Sequence, residues 1–320
     1  MKAVKAILNR RSATSAVAAA AFGIGLAQPE PPRALTTPAT SAPDCATPVG
    51  NTVIKTSHVP LLRTSNGLSL NWSGYAVSAS NVTSVSATFT VPQIGPPGSI
   101  GGLPPDFSAW VGIDGYTSGT VEQTGIAGSW DDTTGTASYF AWWEMFPRVS
   151  STIKSMTISA GDSITATVTF NGGGSFTLSI SDNTNGQSFS TTTSAPTGGP
   201  NAAQRNSAEF IVERAATISQ GFLTILPLAT FTNAETFSAA SFTAGGATTT
   251  LQQAVDTMTQ YPGTGTPPPQ PYWEKITMVG LDSNGNPFPL DSISAVVGNS
   301  FTATFLANGT PLPIPGVFRH

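Results

Sequence analysis

Ser84-Val85-Ser86-Ala87-Thr88-Phe89-Thr90-Val91 decides the fold: every second residue is apolar and each one between is a hydroxyl. An extended backbone turns successive side chains to opposite faces. The stretch therefore predicts a strand with Val85, Ala87, Phe89 and Val91 on a buried face. The same period returns at Ile164, Ala166, Val168 and Phe170. After a Gly172-Gly173-Gly174 turn it resumes at Phe176, Leu178 and Ile180. No segment past the N-terminus carries a sustained helical stripe, although Leu251 to Met258 has room for a turn or two. Many half-buried strands at short spacing predict an all-β chain, a jelly-roll or concanavalin-like β-sandwich of two packed antiparallel sheets.

Outward from that core the chain divides into three. A basic start (Lys2, Lys5, Arg10, Arg11), an Ala-rich apolar run and Gly25-Leu26-Ala27 predict a secretory signal peptide over 1–27. The Pro/Ala/Thr-rich tract 28–65 shows no periodicity and reads as a propeptide or linker. Residues 66–320 form the catalytic sandwich, with Pro262 to Pro271 a surface loop before its last strands. Beyond the leader no stretch is long and apolar enough to span a membrane. The first 65 residues carry net +5, whereas the remainder has six basic and fifteen acidic residues, net −9. A basic leader ahead of an acidic body suits a propeptide that masks an acidic cleft, and an acidic body makes a poor nucleic-acid binder.

Missing residue types narrow the chemistry further. The only cysteine, Cys45, and one of the two histidines, His58, lie in the leader, and His320 is the last residue. A Ser-His-Asp triad, a Cys-His dyad and a His- or Cys-rich zinc site therefore lack parts in the body. Acid–base work falls to carboxylates.

Three clusters stand out. In Tyr139-Phe140-Ala141-Trp142-Trp143-Glu144-Met145-Phe146, alternation puts Phe140, Trp142, Glu144 and Phe146 on one face. That suits a groove with aromatic walls around a carboxylate, or else an edge strand whose Glu reaches to water. In Glu209-Phe210-Ile211-Val212-Glu213, both glutamates share a face. Their repulsion raises at least one pKa unless Arg148, Arg205 or Arg214 compensates. In Val121-Glu122-Gln123, the glutamine faces opposite to Glu122 and by itself reads as a structural hydrogen-bonder.

Seven pieces in order resemble the glutamic peptidases, the eqolisin or scytalidoglutamic-peptidase family. They are Asn71-Trp72-Ser73-Gly74, Thr90-Val91-Pro92, Ala109 to Gly115 (AWVGIDG), Glu122-Gln123-Thr124-Gly125, Ala141 to Pro147 (AWWEMFP), Ile158 to Ile164 (ISAGDSI) and Ala208 to Glu213 (AEFIVE). The resemblance implies Gln123 and Glu213 as the catalytic pair. It implies Trp72, Gly74, Trp142, Glu144 and Phe146 along the substrate groove, with Trp110, Asp114 and Glu209 in support. It also implies a monomer that acts on polypeptides in acid without metal or cofactor, and an N-terminal propeptide that inhibits until removed. In that chemistry Glu213 takes a proton from the attacking water, and the Gln123 amide holds the developing oxyanion. Arg214 and Ala215 depart from the family pattern, and Ala215 is expected to open a subsite. With its disulfide-free body the chain looks like a bacterial relative. Two alternatives stay open: a jelly-roll glycoside hydrolase using Glu144 and Glu213, and a lectin-like binding sandwich without catalysis.

Overall fold

The structure, a computed structural model, describes residues 46–49, 52–195, 202–219 and 222–314. The predicted signal peptide and Cys45 lie outside them. Two antiparallel sheets pack face to face. Along the first, neighbouring strands are Ser151–Ile153, Thr136–Phe146, Val121–Asp131, Phe107–Ile113, Ser207–Glu213, Trp72–Ser78 and Tyr272–Leu281. The second runs Ser188–Ser194, Ser175–Asp182, Ser163–Gly172, Val82–Thr90, Glu235–Ala244, Phe301–Phe305 and Asp291–Ile293. The alternation is realised: Val85, Ala87 and Phe89 are buried between the sheets with Ile164, Ala166 and Val168. From the first sheet, Val111, Phe210 and Val212 face them. The chain is the predicted all-β sandwich, with one short helix among the described residues, Leu251–Thr257, started by a Thr250 and Gln253 capping box.

The first sheet's other face holds the second apolar cluster, with Trp72, Trp110, Trp142, Phe146 and Ile211. A small third sheet lies over it, in the order Ala46–Val49, Thr52–Ser57, Ala216–Ser219, Phe222–Ile225 and Leu312–Ile314. Val59, Leu223 and Ile225 complete that cluster from above. Composition alone left the 28–65 tract without regular structure. The Thr52–Ser57 strand forms because Ala216 and Thr217 offer it a sheet edge, a partner far away in sequence.

Candidate active site

The face beneath this roof is built by strand register. Gln123 stands directly across from Glu144 on one side and Gly112 on the other. Gly112 in turn pairs Glu209, and two rungs further along the same strand Ile211 pairs Trp110. Glu213 closes that strand opposite Trp72. Small residues make room for the rings. A Cβ on Gly112 would meet the Trp110 ring at 2.8 Å, and one on Gly125 would meet the Ala109 carbonyl oxygen at 2.1 Å. Gly74 has φ +128°, and a Cβ there would lie 2.2 Å from the Phe210 carbonyl oxygen, so it serves by letting two strands approach closely.

Glu213 is fully buried. The Trp110 Nε1–H donates to its Oε2 (2.8 Å) and the Asn71 Nδ2–H to its Oε1 (3.3 Å). Burial pushes its pKa well up, and the neighbouring Glu144 adds to the shift, while the indole donor works against it. Glu209, expected to supply the repulsion, shares the face, but its own carboxyl is raised first by burial and then by Asp114 and Glu122. None of the three arginines expected to compensate pairs with either glutamate. Arg148 donates to the Ser194 carbonyl, Arg205 to Asn81, and the buried Arg214 to the carbonyls of Leu70, Thr310 and Val279.

Glu144 is buried as well, so it does not reach to water, and its strand is flanked on both sides. Its Oε2 accepts from the Gln123 Nε2–H (3.1 Å) and from the His58 backbone N–H (3.0 Å). Its Oε1 accepts from the Ser57 hydroxyl (2.6 Å). Burial lifts its pKa to about 8 in spite of those donors. Asp114 sits apart. Its oxygens accept the backbone N–H groups of Gln204, Arg205 and Asn206 (2.7, 2.8 and 2.9 Å), tying down the approach to the Ser207–Glu213 strand. Phe146 lies on the same face as Glu144 within the second apolar cluster. Ala215 is buried and its N–H donates to Asp106 (3.2 Å).

What sequence reasoning set aside is the occupant. Residues 57–62, read as leader, run straight across these groups. The His58 ring stacks on Trp142 at 3.6 Å with planes 6° apart, and its Nδ1 lies 3.3 Å from Glu213 Oε2. Burial drives the His58 pKa down to about 3 and Glu213 up, so the proton between them sits on the carboxyl. The Gln123 Nε2–H donates to the His58 carbonyl (2.8 Å). The Val59 carbonyl accepts from Trp72 Nε1 (3.0 Å) and Asn71 Nδ2 (3.1 Å). Asn71 was within a quoted motif, yet no period or charge in the sequence marked it as a ligand of Glu213. His58 lies 155 positions from Glu213, and only the folded chain brings them together.

On this sheet face, buried carboxyls and an amide hold the backbone N–H and carbonyl of one peptide residue, an arrangement suited to carboxylate-based chemistry on a peptide. A model of the Peptidase A4 family matches residues 70–268, and the chain belongs to that family, the glutamic endopeptidases or eqolisins. Scytalidopepsin B of Scytalidium lignicola is 35% identical over 187 residues, covering 58% of this chain and 67% of that protein. Aspergillopepsin-2 of Aspergillus niger is 36% identical over 166 residues, covering 47% of this chain and 57% of that protein. Scytalido-glutamic peptidase bound to a peptide-based transition-state analogue aligns with TM-score 0.57 at 26% identity, over 74% of this chain and 98% of that one. The eqolisin SCP-B, solved with the tripeptide Ala-Ile-His, aligns with TM-score 0.55 at the same identity and coverage. Among the described residues no cluster could hold a metal ion, and no helix is long and apolar enough to cross a membrane.

Proposed function

We propose that this chain is a secreted, acid-acting endopeptidase in which Glu213 is the general base and Gln123 the oxyanion donor. One observation carries the reading: the Gln123 amide already donates to a peptide carbonyl across 2.8 Å, beside the buried Glu213. A donor placed there meets the oxygen on which negative charge develops. Removing such a donor costs about 10²–10³ in kcat. Glu144 accepts the N–H of the same peptide unit's residue and fixes the Gln123 amide, so it positions both substrate and donor.

The acid range follows from the two opposed influences on Glu213. With residues 57–62 in place, water is excluded and the carboxyl is held protonated. Once the groove is hydrated, the burial penalty weakens while the Trp110 and Asn71 donors stay. The pKa then falls back toward the ordinary carboxylate range, where the base form serves in mild acid. The segment that fills the site would thus act as the chain's own inhibitor, with the relatives solved with peptide ligands supporting a polypeptide substrate. The basic N-terminal 1–27 supports export.

The test is hydrolysis of a denatured protein at about pH 3–4, where a Glu titrates, after a first acid incubation of the purified chain. Wild type is expected to cleave, with Glu213→Gln and Gln123→Ala losing nearly all activity. Full activity in either variant would sink the assignment. Retention in Gln123→Ala alone would favour a pair of carboxylates, as in a glycoside hydrolase, over the Glu–Gln pair.

A further inference from the structure

We propose that the bond this protein first cuts in itself is His58–Val59, whose carbonyl accepts from the Gln123 amide while the ring of the same histidine meets Glu213; the inference rests on the peptidase reading above. The chain is gripped on both sides of that bond. On the N-terminal side, Glu144 takes the His58 N–H (3.0 Å) and Trp142 takes the imidazole face. On the C-terminal side, Trp72 and Asn71 hold the Val59 carbonyl, and Asn71 reaches the Pro60 carbonyl as well (3.3 Å). Among the described residues the carbonyl that meets the Gln123 amide is that of His58. The next bond, Val59–Pro60, is a poor rival. Its carbonyl is already held by an indole and the Asn71 amide, and its nitrogen belongs to a proline ring.

The step balances with one water. When the seated segment lifts far enough to admit one water, Glu213 ionises; that water adds to the His58 carbonyl carbon and gives a proton to the Glu213 carboxylate, while the Gln123 N–H stabilises the oxyanion. Glu213 returns the proton to the Val59 nitrogen as the C–N bond breaks. His58 becomes a C-terminal carboxylic acid, and Val59 becomes a new amino terminus. Cutting here releases the Thr52–Ser57 strand from its pairing with Ala216 and Thr217 and takes His58 off Trp142, which clears the face for other peptides. The Trp142 ring then remains as a stacking platform for a planar side chain just before the scissile bond.

The test follows the full-length chain through early times at about pH 3–4 by intact mass and N-terminal sequencing, beside hydrolysis of a denatured protein. The first product is expected to begin at Val59, with a released fragment ending at His58. In Val59→Pro that product should fall below detection, and Glu213→Gln should stay whole. A synthetic peptide of residues 55–62 added to processed enzyme should be cut between His and Val, a readout that does not depend on any variant folding. A first product beginning elsewhere, at Pro60 included, a peptide cut at another bond, or unchanged processing in Val59→Pro would overturn the proposal while leaving the peptidase intact. Failure to cut either the chain or the denatured protein would remove both.

Discussion

The Trp110 indole N–H donates to Glu213 Oε2 across 2.8 Å, and among the described residues no arginine or lysine lies at hydrogen-bond range of that carboxyl. A dipole rather than a cation therefore supports the anionic form. In Trp110→Phe the ring remains and the donor is lost, so the carboxyl pKa moves further up. The acid-side limb of the kcat/KM profile should shift to higher pH, and kcat/KM at mildly acidic pH should fall about 10- to 100-fold, the worth of a hydrogen bond to a charged group. An unmoved limb would mean that the indole only packs.

Glu144 lends itself to a conservative exchange. With its pKa near 8, it carries a proton in acid, and Gln is then close to isosteric. The Gln oxygen can take the Oε2 position, accepting from Gln123 and the substrate N–H. Its NH2 takes the Oε1 position, beside a hydroxyl free to rotate into the accepting role. Glu144→Gln should keep kcat/KM within about threefold of wild type in acid, whereas Glu144→Ala, which strands the Gln123 amide, should lose about 10-fold or more. Equal loss in both would show that the charge matters.

Stability should fall as pH rises. Burial raises Glu144 to about 8 and Asp106 and Asp291 to about 7, and lifts Glu122, Glu209, Glu213 and Glu235 well above their ordinary value. In the window between about 4, where these groups titrate when unfolded, and 7–8, the folded chain binds more protons than the unfolded one. Unfolding then becomes easier with each step upward in pH. His58 works in the opposite sense: kept neutral down to about 3, it weakens the closed chain as pH drops below its unfolded value. One imidazole does not offset the six of these carboxyls that remain once Glu213 is replaced. In the uncut Glu213→Gln variant, Tm should be highest near pH 4 and drop by roughly 10 °C or more by pH 8. A Tm that rises over that span would contradict the burial of these groups.

Strand faces were readable because their period is two. Gln123 fell opposite Glu122, Glu144 joined Trp142 and Phe146, and Glu209 joined Glu213, all as the register has them. The choice between Glu209 and Glu213 was not readable from alternation, since both point the same way. It depends on Trp110 and Asn71, which reach one carboxyl through contacts 103 and 142 positions apart. The leader misled for a physical reason. Composition describes what a segment can do alone, whereas residues 57–62 are ordered by hydrogen bonds to Glu144, Gln123, Asn71 and Trp72. The histidine discounted with the leader is consequently the one that touches Glu213.

How firmly the leader stays seated depends on Arg63. Its guanidinium forms a two-pronged pair with Glu274, Nη1 to Oε1 at 2.5 Å and Nη2 to Oε2 at 2.6 Å, and the Tyr116 hydroxyl donates to the same carboxylate. Glu274 is buried, with its side chain 1% exposed against 27% for Arg63, so removing the cation leaves a desolvated carboxylate with the Tyr116 hydroxyl but no opposite charge. Breaking such a pair costs about 3–5 kcal/mol, or roughly 6–20 °C in Tm for a chain of this size. Because Arg63 follows His58 by five residues, its loss should also loosen the segment over Gln123 and Glu213. Arg63→Ala should unfold at lower temperature and process faster than wild type at the same mildly acidic pH. Arg63→Lys keeps the charge but not the fork, and should fall between the two. If Tm drops in Arg63→Ala while the processing rate is unchanged, the pair braces the sandwich but does not hold the leader in the site.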